Sequence, residues 1–258
     1  HYRRGPTSGM GSGTLSTVER AFQILDLLWK LDGAGPTEIA ERMDVPDSTV
    51  YDYLRSLCET EFVTRQKGSY RLTHHFLTIG GKMRYRNRLF QVAKGEMKRL
   101  ATETDELVGL TIENEGKALV FHQEEGGQAL NLGTYLGAST PIHTTAGGKA
   151  ILANLPDERV ANIVENGLES RTENTITDPG RLYEELERIQ EEGFALDWDQ
   201  QVVGMAMVAV PVVTEDQIAS MTVVSPTNRL EREAYQEELV QKLREAANTV
   251  MINYRYGR

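Results

Sequence analysis

The stretch Pro36–Thr60 constrains the fold of this chain most, because it predicts two short helices joined by a tight turn. Pro36 suits the first position of a helix, where its missing N–H would have no partner. The first helix must end before Pro46, since the residue preceding a proline is driven out of the α region. Asp47 or Ser48 can then cap the second helix through a side-chain oxygen. Two helices in this order are typical of helix-turn-helix proteins, which place the second helix in the DNA major groove.

The second helix of this pair has one apolar and one polar side. Its apolar side repeats at helical spacing and is expected to face a core, through Val50, Leu54, Leu57 and Cys58. The polar side supplies the residues expected to contact bases or to fix the register on DNA: Ser48, Thr49, Tyr51 and Arg55.

A basic hairpin is predicted directly after the helix pair. Phe62–Arg65 and Ser69–Leu72 are strand-like runs around a glycine turn, and they carry Arg65, Lys67 and Arg71. A helix pair followed by such a hairpin indicates a winged helix-turn-helix. Because the second helix also bears three acidic residues, we expect phosphate attraction to come from these wing cations. Further candidates for it are Arg20, Arg42 and the basic segment Arg84–Arg88.

The distribution of charge agrees with this assignment, although the net charge is −10. Residues 1–100 have a balance of +5, whereas residues 101–258 have a balance of −15. The first third of the chain is therefore the candidate for nucleic-acid binding. The acidic remainder either avoids phosphate or is simply solvated surface, and both can hold.

The compartment is expected to be the cytoplasm. Cys58 is the only cysteine, so one chain can form no internal disulfide, which suits a reducing environment. No apolar run is long enough to cross a bilayer and no signal peptide is visible, so we expect no membrane partner. The segment His1–Gly13 is either a flexible arm or sequence preceding a start at Met10.

The rest of the chain predicts an α+β fold, with antiparallel strands and helices between them. In the first helix, Leu15–Leu31, a stripe of Val18, Phe22, Leu25 and Trp29 is expected to face the core, widened by Ile24 and Leu28. Phe90–Glu103 is expected to be a helix that joins two domains. Ala129–Gly133 is expected to be a strand, and a last helix is expected over Glu231–Asn253.

The segment Pro141–Ala150 is a candidate anion site, because small residues precede a helix whose first N–H groups are free. It is not a phosphate-binding P-loop, since His143 and Ala150 replace the glycine and hydroxyl residue of that motif. The alternative is close packing of a helix on a strand, which also favours small residues.

Five ordered stretches resemble the IclR family of transcriptional regulators. They are Ile39-Ala40 with Pro46–Val50, Pro141–Ala150, Thr177–Pro179 with Gly193–Asp197, Gly204–Pro211, and Pro226–Leu230. The likeness runs from about Leu15 to the end of the chain without large insertions.

The resemblance implies three regions: a winged helix-turn-helix over residues 14–76, a linker helix region over 77–104, and a GAF/profilin-like effector-binding and oligomerisation domain over 105–258. It also implies a homodimer or tetramer on double-stranded operator DNA, controlled by a small organic acid or aromatic metabolite. The implied effector-binding residues are Ala146, Gly147, Asp197, Met207, Thr222 and Val224. Met207 and Val224 replace polar residues of the family pattern, which favours a bulkier or more apolar effector than glyoxylate or pyruvate.

Two other classes remain open on the sequence alone. One is an enzyme, such as a hydrolase using His143 with Asp197, although no nucleophile motif supports it. The other is an architectural DNA-binding protein whose second domain only dimerises. We expect no catalytic residue, cofactor or metal, because the histidines lack the spacing of a zinc site.

Overall fold

The computed structural model describes residues 15–257. The segment His1–Gly13, for which the sequence left an arm or a leader open, lies outside the described residues. The chain divides into two compact units between Met83 and Arg84.

The first unit contains three helices and a hairpin. Its elements are α1 (Ser16–Lys30), α2 (Pro36–Met43), α3 (Asp47–Glu59), β1 (Val63–Gln66) and β2 (Ser69–Leu72). The two strands pair antiparallel, and the backbone of Ala34 exchanges two hydrogen bonds with Tyr70 as a single bridge beside them. A helix α4 (His75–Arg86) follows and ends just inside the second unit. The predicted helix pair and hairpin are confirmed.

The stripe predicted for α1 was wrong for three of its four residues; Leu25 packs against the core, and Ile24 and Leu28 were correctly expected there. Ile24 and Leu28 are the residues buried in the core, whereas Val18, Phe22 and Trp29 are 49%, 62% and 66% exposed. The helix has two adjacent apolar stripes, and helical spacing alone does not say which one faces its own core. The outer stripe therefore lies on the surface of this unit.

The predicted cap of α3 was also wrong. Pro46 occupies the cap position, and no side chain accepts a hydrogen bond there. Asp47 lies one residue further on, and its Oδ2 accepts a hydrogen bond from the Thr37 hydroxyl at 2.9 Å. The aspartate thus links α3 to α2.

The second unit is built on a six-stranded antiparallel sheet of order β5-β4-β3-β8-β7-β6. Its strands are β3 (Leu107–Asn114), β4 (Lys117–Glu125), β5 (Ser139–Pro141), β6 (Ala195–Trp198), β7 (Met205–Val213) and β8 (Ile218–Pro226). Its helices are α5 (Arg88–Thr104), α6 (Ala146–Leu152), α7 (Asp157–Glu165), α8 (Pro179–Glu192), α9 (Thr227–Leu230) and α10 (Glu233–Tyr256), with a 3-10 turn at Ile142–Thr144. The predicted α+β class is confirmed.

Helices cover both faces of this sheet. The face formed by residues such as Val108, Val208 and Met221 packs on α5 and α10. The opposite face, which includes Met207 and Val224, packs on α6 to α8. Strand residues therefore alternate between two cores, as the period of a pleated strand requires.

The helix predicted over Phe90–Glu103 is α5, which is capped by the Asn87 side chain accepting from the Phe90 N–H at 3.0 Å. Its buried residues, including Ala93 and Met97, belong to the core shared with α10. This helix is therefore part of the second unit, and α4 is the element at which the two units meet in sequence.

The strand predicted at Ala129–Gly133 was wrong, because these residues form no strand and β5 lies later, at Ser139–Pro141. Gly133 adopts a positive φ of 61°, which does not fit a strand. The predicted last helix begins two residues later and ends three residues later than expected, as α10. Among the described helices, none is long and apolar enough to cross a membrane.

Candidate functional site

Helix α3 presents a polar face to solvent. Val50 and Leu54 are fully buried, whereas Ser48, Tyr51 and Arg55 are exposed and Thr49 is half-buried. The Arg55 Nη2 lies 3.0 Å from the Asp52 Oδ1, with both side chains more than 70% exposed. An exposed pair of this kind exchanges readily with water, so Arg55 can leave Asp52 for another acceptor at little cost.

The hairpin turns through Lys67 and Gly68, which both have positive φ. Lys67 is therefore at the tip of the wing and exposed. Arg65 is opposite Tyr70 and Arg71 is opposite Thr64 in the strand register. Since neighbouring positions along a strand point to opposite faces, Arg65 and Arg71 lie on different sides of the hairpin.

Some predicted phosphate-binding cations have internal partners. Arg71 Nη1 is 3.3 Å from the Asp32 Oδ1. The Arg84 guanidinium lies 5.0 Å from the centre of the Phe90 ring, and Arg88 donates to the Gly257 carbonyl at 3.0 Å. Lys67 and Arg65 are thus the wing cations with the least competition from carboxylates.

The second unit contains a cavity of about 190 Å³ on the sheet face covered by α6. It is bounded by strands β3, β4, β7 and β8 and by two loops, residues 126–138 and 199–204. Four of the six predicted effector residues line it: Gly147, Met207, Thr222 and Val224. The cavity is small compared with typical ligand pockets of about 300–1,000 Å³.

Asp197 and Ala146 do not line this cavity. Asp197 is fully buried beside Met207 in the β6–β7 pairing. Its Oδ1 accepts from the Gln200 N–H at 2.8 Å, while its Oδ2 has no hydrogen-bond partner among the described residues. Burial raises the pKa of Asp197 to about 7, although the Gln200 amide and the Lys149 charge act in the other direction. The carboxyl therefore holds the start of the loop that carries Gln201 and Val202 to the cavity.

Lys149 is a buried cation that the sequence reasoning missed. It is on α6 with no exposed surface, and its Nζ is 2.9 Å from the Glu185 Oε1. Burial lowers the pKa of Lys149, and the Glu185 and Asp197 carboxyls oppose that effect. The only signal in the sequence was a lysine inside a run of small residues, and nothing there identified its partner on α8.

Gly147 is at the second position of α6, where two hydroxyls of β8 approach the backbone. A Cβ on Gly147 would be 2.8 Å from the Thr222 Oγ1 and 3.0 Å from the Ser220 Oγ. The cap residue Thr145 accepts from the Gly148 N–H at 3.0 Å. Since the first N–H groups of a helix have no acceptor within the helix itself, the amides of Ala146 and Gly147 have none within α6. Close packing of α6 on β8 thus requires the glycine, whatever else its N–H does.

Several residues that line the cavity were not singled out in the sequence. Gly109 and Gln123 come from the centre of the sheet, and Leu132 and Val202 come from the two loops. Gly109 could have been noticed as a lone glycine inside a strand-like run, which is uncommon. The loop residues carried no signal.

The residues of the rival hydrolase do not form a catalytic pair. His143 is buried, and its Nε2 is 3.0 Å from the Glu169 carbonyl oxygen rather than hydrogen-bonded to Asp197. Burial lowers the pKa of His143. Within residues 15–257, no group of three or more His, Cys, Asp or Glu side chains is arranged to hold a metal ion.

A winged helix-turn-helix followed by an α+β unit with an internal cavity is the domain arrangement of a class of transcriptional regulator. The IclR helix-turn-helix domain matches residues 17–67, and the bacterial transcriptional regulator IclR C-terminal domain matches residues 83–252. The chain belongs to the IclR family, with an N-terminal DNA-binding domain and a C-terminal effector domain, and the resemblance inferred from the sequence is confirmed.

Relatives of this family match almost the whole chain. The regulator BhcR of Paracoccus denitrificans is 31% identical over 238 residues, which are 88% of this chain and 84% of BhcR. The structure of the Thermotoga maritima IclR has a TM-score of 0.77 at 27% identity and covers 94% of this chain and 100% of its own. An IclR homologue from Microbacterium hydrocarbonoxydans in complex with 4-hydroxybenzoate shares the fold, with a TM-score of 0.78 at 23% identity and coverage of 93% and 99%.

Proposed function

We propose that this protein is a ligand-responsive regulator that binds double-stranded operator DNA and changes its affinity when a small-molecule effector occupies the cavity. In this proposal residues 14–76 bind DNA, residues 105–258 bind the effector and assemble the oligomer, and the chain acts in the cytoplasm without catalytic residues, metal or cofactor. The cavity in the second unit carries the proposal, because a dimerising module alone would not need one.

The lining indicates an organic acid with an apolar or aromatic body. Met205, Met207 and Val120 supply apolar walls, whereas Thr222 and Thr145 supply hydroxyls beside Gly147. Apolar walls with a few polar groups are typical of small-molecule sites. In this proposal the Ala146 and Gly147 amides and the Thr222 hydroxyl hold the acid group, Met207 and Val224 contact the body, and Asp197 positions the neighbouring loop.

The test uses DNA that the full-length protein selects from a random pool, with 4-hydroxybenzoate as the first probe. We expect the probe to bind and to shift DNA affinity by roughly 5–150-fold, the usual range for coupling between sites. Binding without any change in DNA affinity would favour an architectural protein. Conversion of the probe, detected by mass spectrometry after incubation, would favour an enzyme.

A second copy of this chain is the proposed occupant of the exposed stripe on α1. Leu15, Val18, Phe22 and Trp29 recur at helical spacing on one side of the helix, and all are exposed. Specific operators are commonly read as two half-sites by two-fold symmetric proteins. The proposal therefore places this stripe in the interface of a homodimer, which can pair further into a tetramer.

Phe22→Asp tests this interface, because a charge cannot be buried there without a partner. We expect a shift toward monomer in sedimentation experiments and weaker DNA binding, while Glu19→Gln, on the same helix, serves as a surface control. An unchanged oligomer in Phe22→Asp would exclude the α1 stripe from the interface.

The roles of the DNA-contacting residues can be separated by a salt series. Arg55 on α3 is proposed to read a base edge, and Lys67 at the wing tip to contact phosphate, with Ser48, Thr49, Tyr51, Arg65 and Arg71 as their neighbours. Arg55→Ala should cost about 1–3 kcal/mol of discrimination between selected and random DNA. Lys67→Ala should weaken binding to both DNAs alike and lower the salt slope by about one. The reverse pattern would show that the roles are wrongly assigned.

The ion pair on α3 gives a further check. Asp52→Asn removes the acceptor that holds Arg55 and also removes a negative charge from the face proposed to meet DNA. We expect tighter binding that is most evident at low salt. Glu41→Gln, an exposed change on α2, is the charge-matched control. Equal gains in both variants would indicate a general charge effect rather than a role for Arg55.

A further inference from the structure

Gly109 lies in the interior of the six-stranded sheet, on β3 between β4 and β8. A glycine there weakens a strand by roughly 0.5–1 kcal/mol relative to alanine, so it requires a reason. The two usual reasons are absent. Gly109 is not among the described glycines with positive φ, and a Cβ built on it would have no atom within 4 Å.

Other glycines of the second unit show what a packing requirement looks like. A Cβ on Gly148 would be 1.8 Å from the Ile142 carbonyl oxygen, and one on Gly126 would be 2.2 Å from the Asp105 carbonyl carbon. Gly109 instead borders the cavity. Its missing side chain leaves open a place where a ligand can reach the strand backbone.

The residues on both sides of Gly109 have polar atoms without partners. The strand register places Thr222 of β8 and Gln123 of β4 directly opposite Gly109, one on each side. Both residues line the cavity, and the Thr222 Oγ1 and the Gln123 Oε1 have no hydrogen-bond partner among the described residues. Unpaired buried polar atoms are uncommon, and each one requires an explanation.

This inference rests on the proposed function. We propose that Gly109 is the position in the effector cavity where the ring of the ligand contacts the sheet, and we call this position the ligand seat. A flat ring of the ligand lies against the β3 backbone at Gly109, and groups at its two ends hydrogen-bond to Thr222 and Gln123. The backbones of Thr222 and Gln123 are two strand spacings apart, about 10 Å, which suits one substituted ring. The ligand class is a planar ring acid with a hydrogen-bond donor opposite its carboxylate, because the unpaired Gln123 Oε1 can only accept a hydrogen bond.

The shape of the ligand seat explains why the ring of the ligand is expected to be flat. A strand without a Cβ exposes its peptide planes, and a planar ring can approach them to van der Waals distance, about 3.5–4.0 Å, over its whole face. A puckered ring with the same number of carbon atoms contacts them at only a few atoms. Benzoate and cyclohexanecarboxylate are therefore a matched pair of probes.

The experiment measures binding of both probes to the full-length protein by calorimetry, together with the melting temperature without ligand. In the native protein, benzoate should bind more tightly than cyclohexanecarboxylate. Gly109→Ala should weaken benzoate binding, and Gly109→Val should weaken it further, by roughly 10–200-fold in total. Both variants should keep or raise the melting temperature, because they fill open space and favour a strand. Gly95→Ala, on α5 with equally open surroundings, should leave benzoate binding unchanged.

The outcomes separate this inference from the proposed function. Unaltered benzoate binding in Gly109→Ala and Gly109→Val, or a lowered melting temperature in both, would overturn the seat. Benzoate binding that depends on Gly109 but leaves DNA affinity unchanged would overturn the proposed regulation and support the seat. If the native protein binds neither benzoate nor 4-hydroxybenzoate, the ligand class is wrong, and the melting temperature of Gly109→Val then decides whether the seat is open.

Discussion

Alternate residues of the same strands face two different environments in the second unit. Toward α5 and α10, β7 contributes Ala206, Val208 and Val210, which are packed in a hydrophobic core with at most 2% of each residue exposed. Toward α6, the neighbouring positions of β3 and β8 are Gly109, Ser220 and Thr222, and a cavity lies beside them. We refer to these as the packed face and the cavity face. The difference favours a division of roles: the packed face supplies stability, and the cavity face holds a ligand in the function proposed above.

The largest expected effect is on the packed face. Leu243 on α10 has no exposed surface, so Leu243→Ala should lower the free energy of unfolding by about 2–5 kcal/mol. Met207→Ala, on the cavity face, should cost less because the removed atoms border an existing cavity. Denaturant unfolding followed by Trp198 fluorescence in a Trp29→Phe background reports this unit alone. An equal or greater loss for Met207→Ala would break the comparison.

The next effect concerns Asp197 and pH. Burial raises the pKa of Asp197 from 3.8 to about 7, so the folded protein keeps a proton that the unfolded chain loses between these values. Stability from this group is therefore present at low pH and declines as pH rises toward 7, by up to about 4 kcal/mol. Asp197→Asn should remove that decline when the free energy of unfolding is measured from pH 4 to 8. A parallel pH profile in the two proteins would show that the carboxyl is not perturbed.

Regular patterns on the sequence predicted the packed face well. In α10, Leu239, Leu243, Ala246 and Val250 recur at helical spacing on one side of the helix, and all four are fully buried. The helix α8, on the other side of the sheet, is equally regular: Leu182, Leu186 and Ile189 are buried, and Gly193 ends the helix with a φ of 74°. The spacing of apolar residues along a helix and a glycine at its end can both be recognised in a single sequence.

The cavity face and the surface of α1 could not be predicted in the same way. Gly109 and Gln123 meet Thr222 only through strand pairing across more than 90 residues, and sequence spacing does not give that register. The choice between the two stripes of α1 depends on which neighbour covers each one. Lys149 was missed because its partner Glu185 comes from another helix.

A smaller effect is expected from Gly147→Ala, which places a methyl group against β8. The new Cβ would be 2.8 Å from the Thr222 Oγ1, so the helix or the strand must shift. Such overpacking costs about 1–3 kcal/mol. We also expect loss of probe binding, because Gly147 lines the cavity. Denaturant unfolding measures the loss of stability and calorimetric titration measures probe binding, with Gly95→Ala as the control in both. Native stability together with native probe binding would remove Gly147 from the site.

The smallest effect, and one of opposite sign, is expected from Thr222→Val. Valine has nearly the shape of threonine but lacks the hydroxyl, and the Thr222 Oγ1 has no partner among the described residues. Removing an unpaired buried hydroxyl avoids a desolvation cost of about 1–3 kcal/mol, so the ligand-free protein should be equally or slightly more stable. Thr144→Val is the matched control, because the Thr144 hydroxyl is also buried but lies within hydrogen-bond distance of two oxygens, 2.8 Å from the Pro141 carbonyl and 2.5 Å from the Gln201 Oε1. That variant should lose stability.

If Thr222 serves the ligand rather than the fold, Thr222→Val must at the same time weaken binding of an acid probe. A destabilised Thr222→Val with native probe affinity would instead make the hydroxyl part of the packing, and the distinction between the two faces would fail at the residue that shows it most directly.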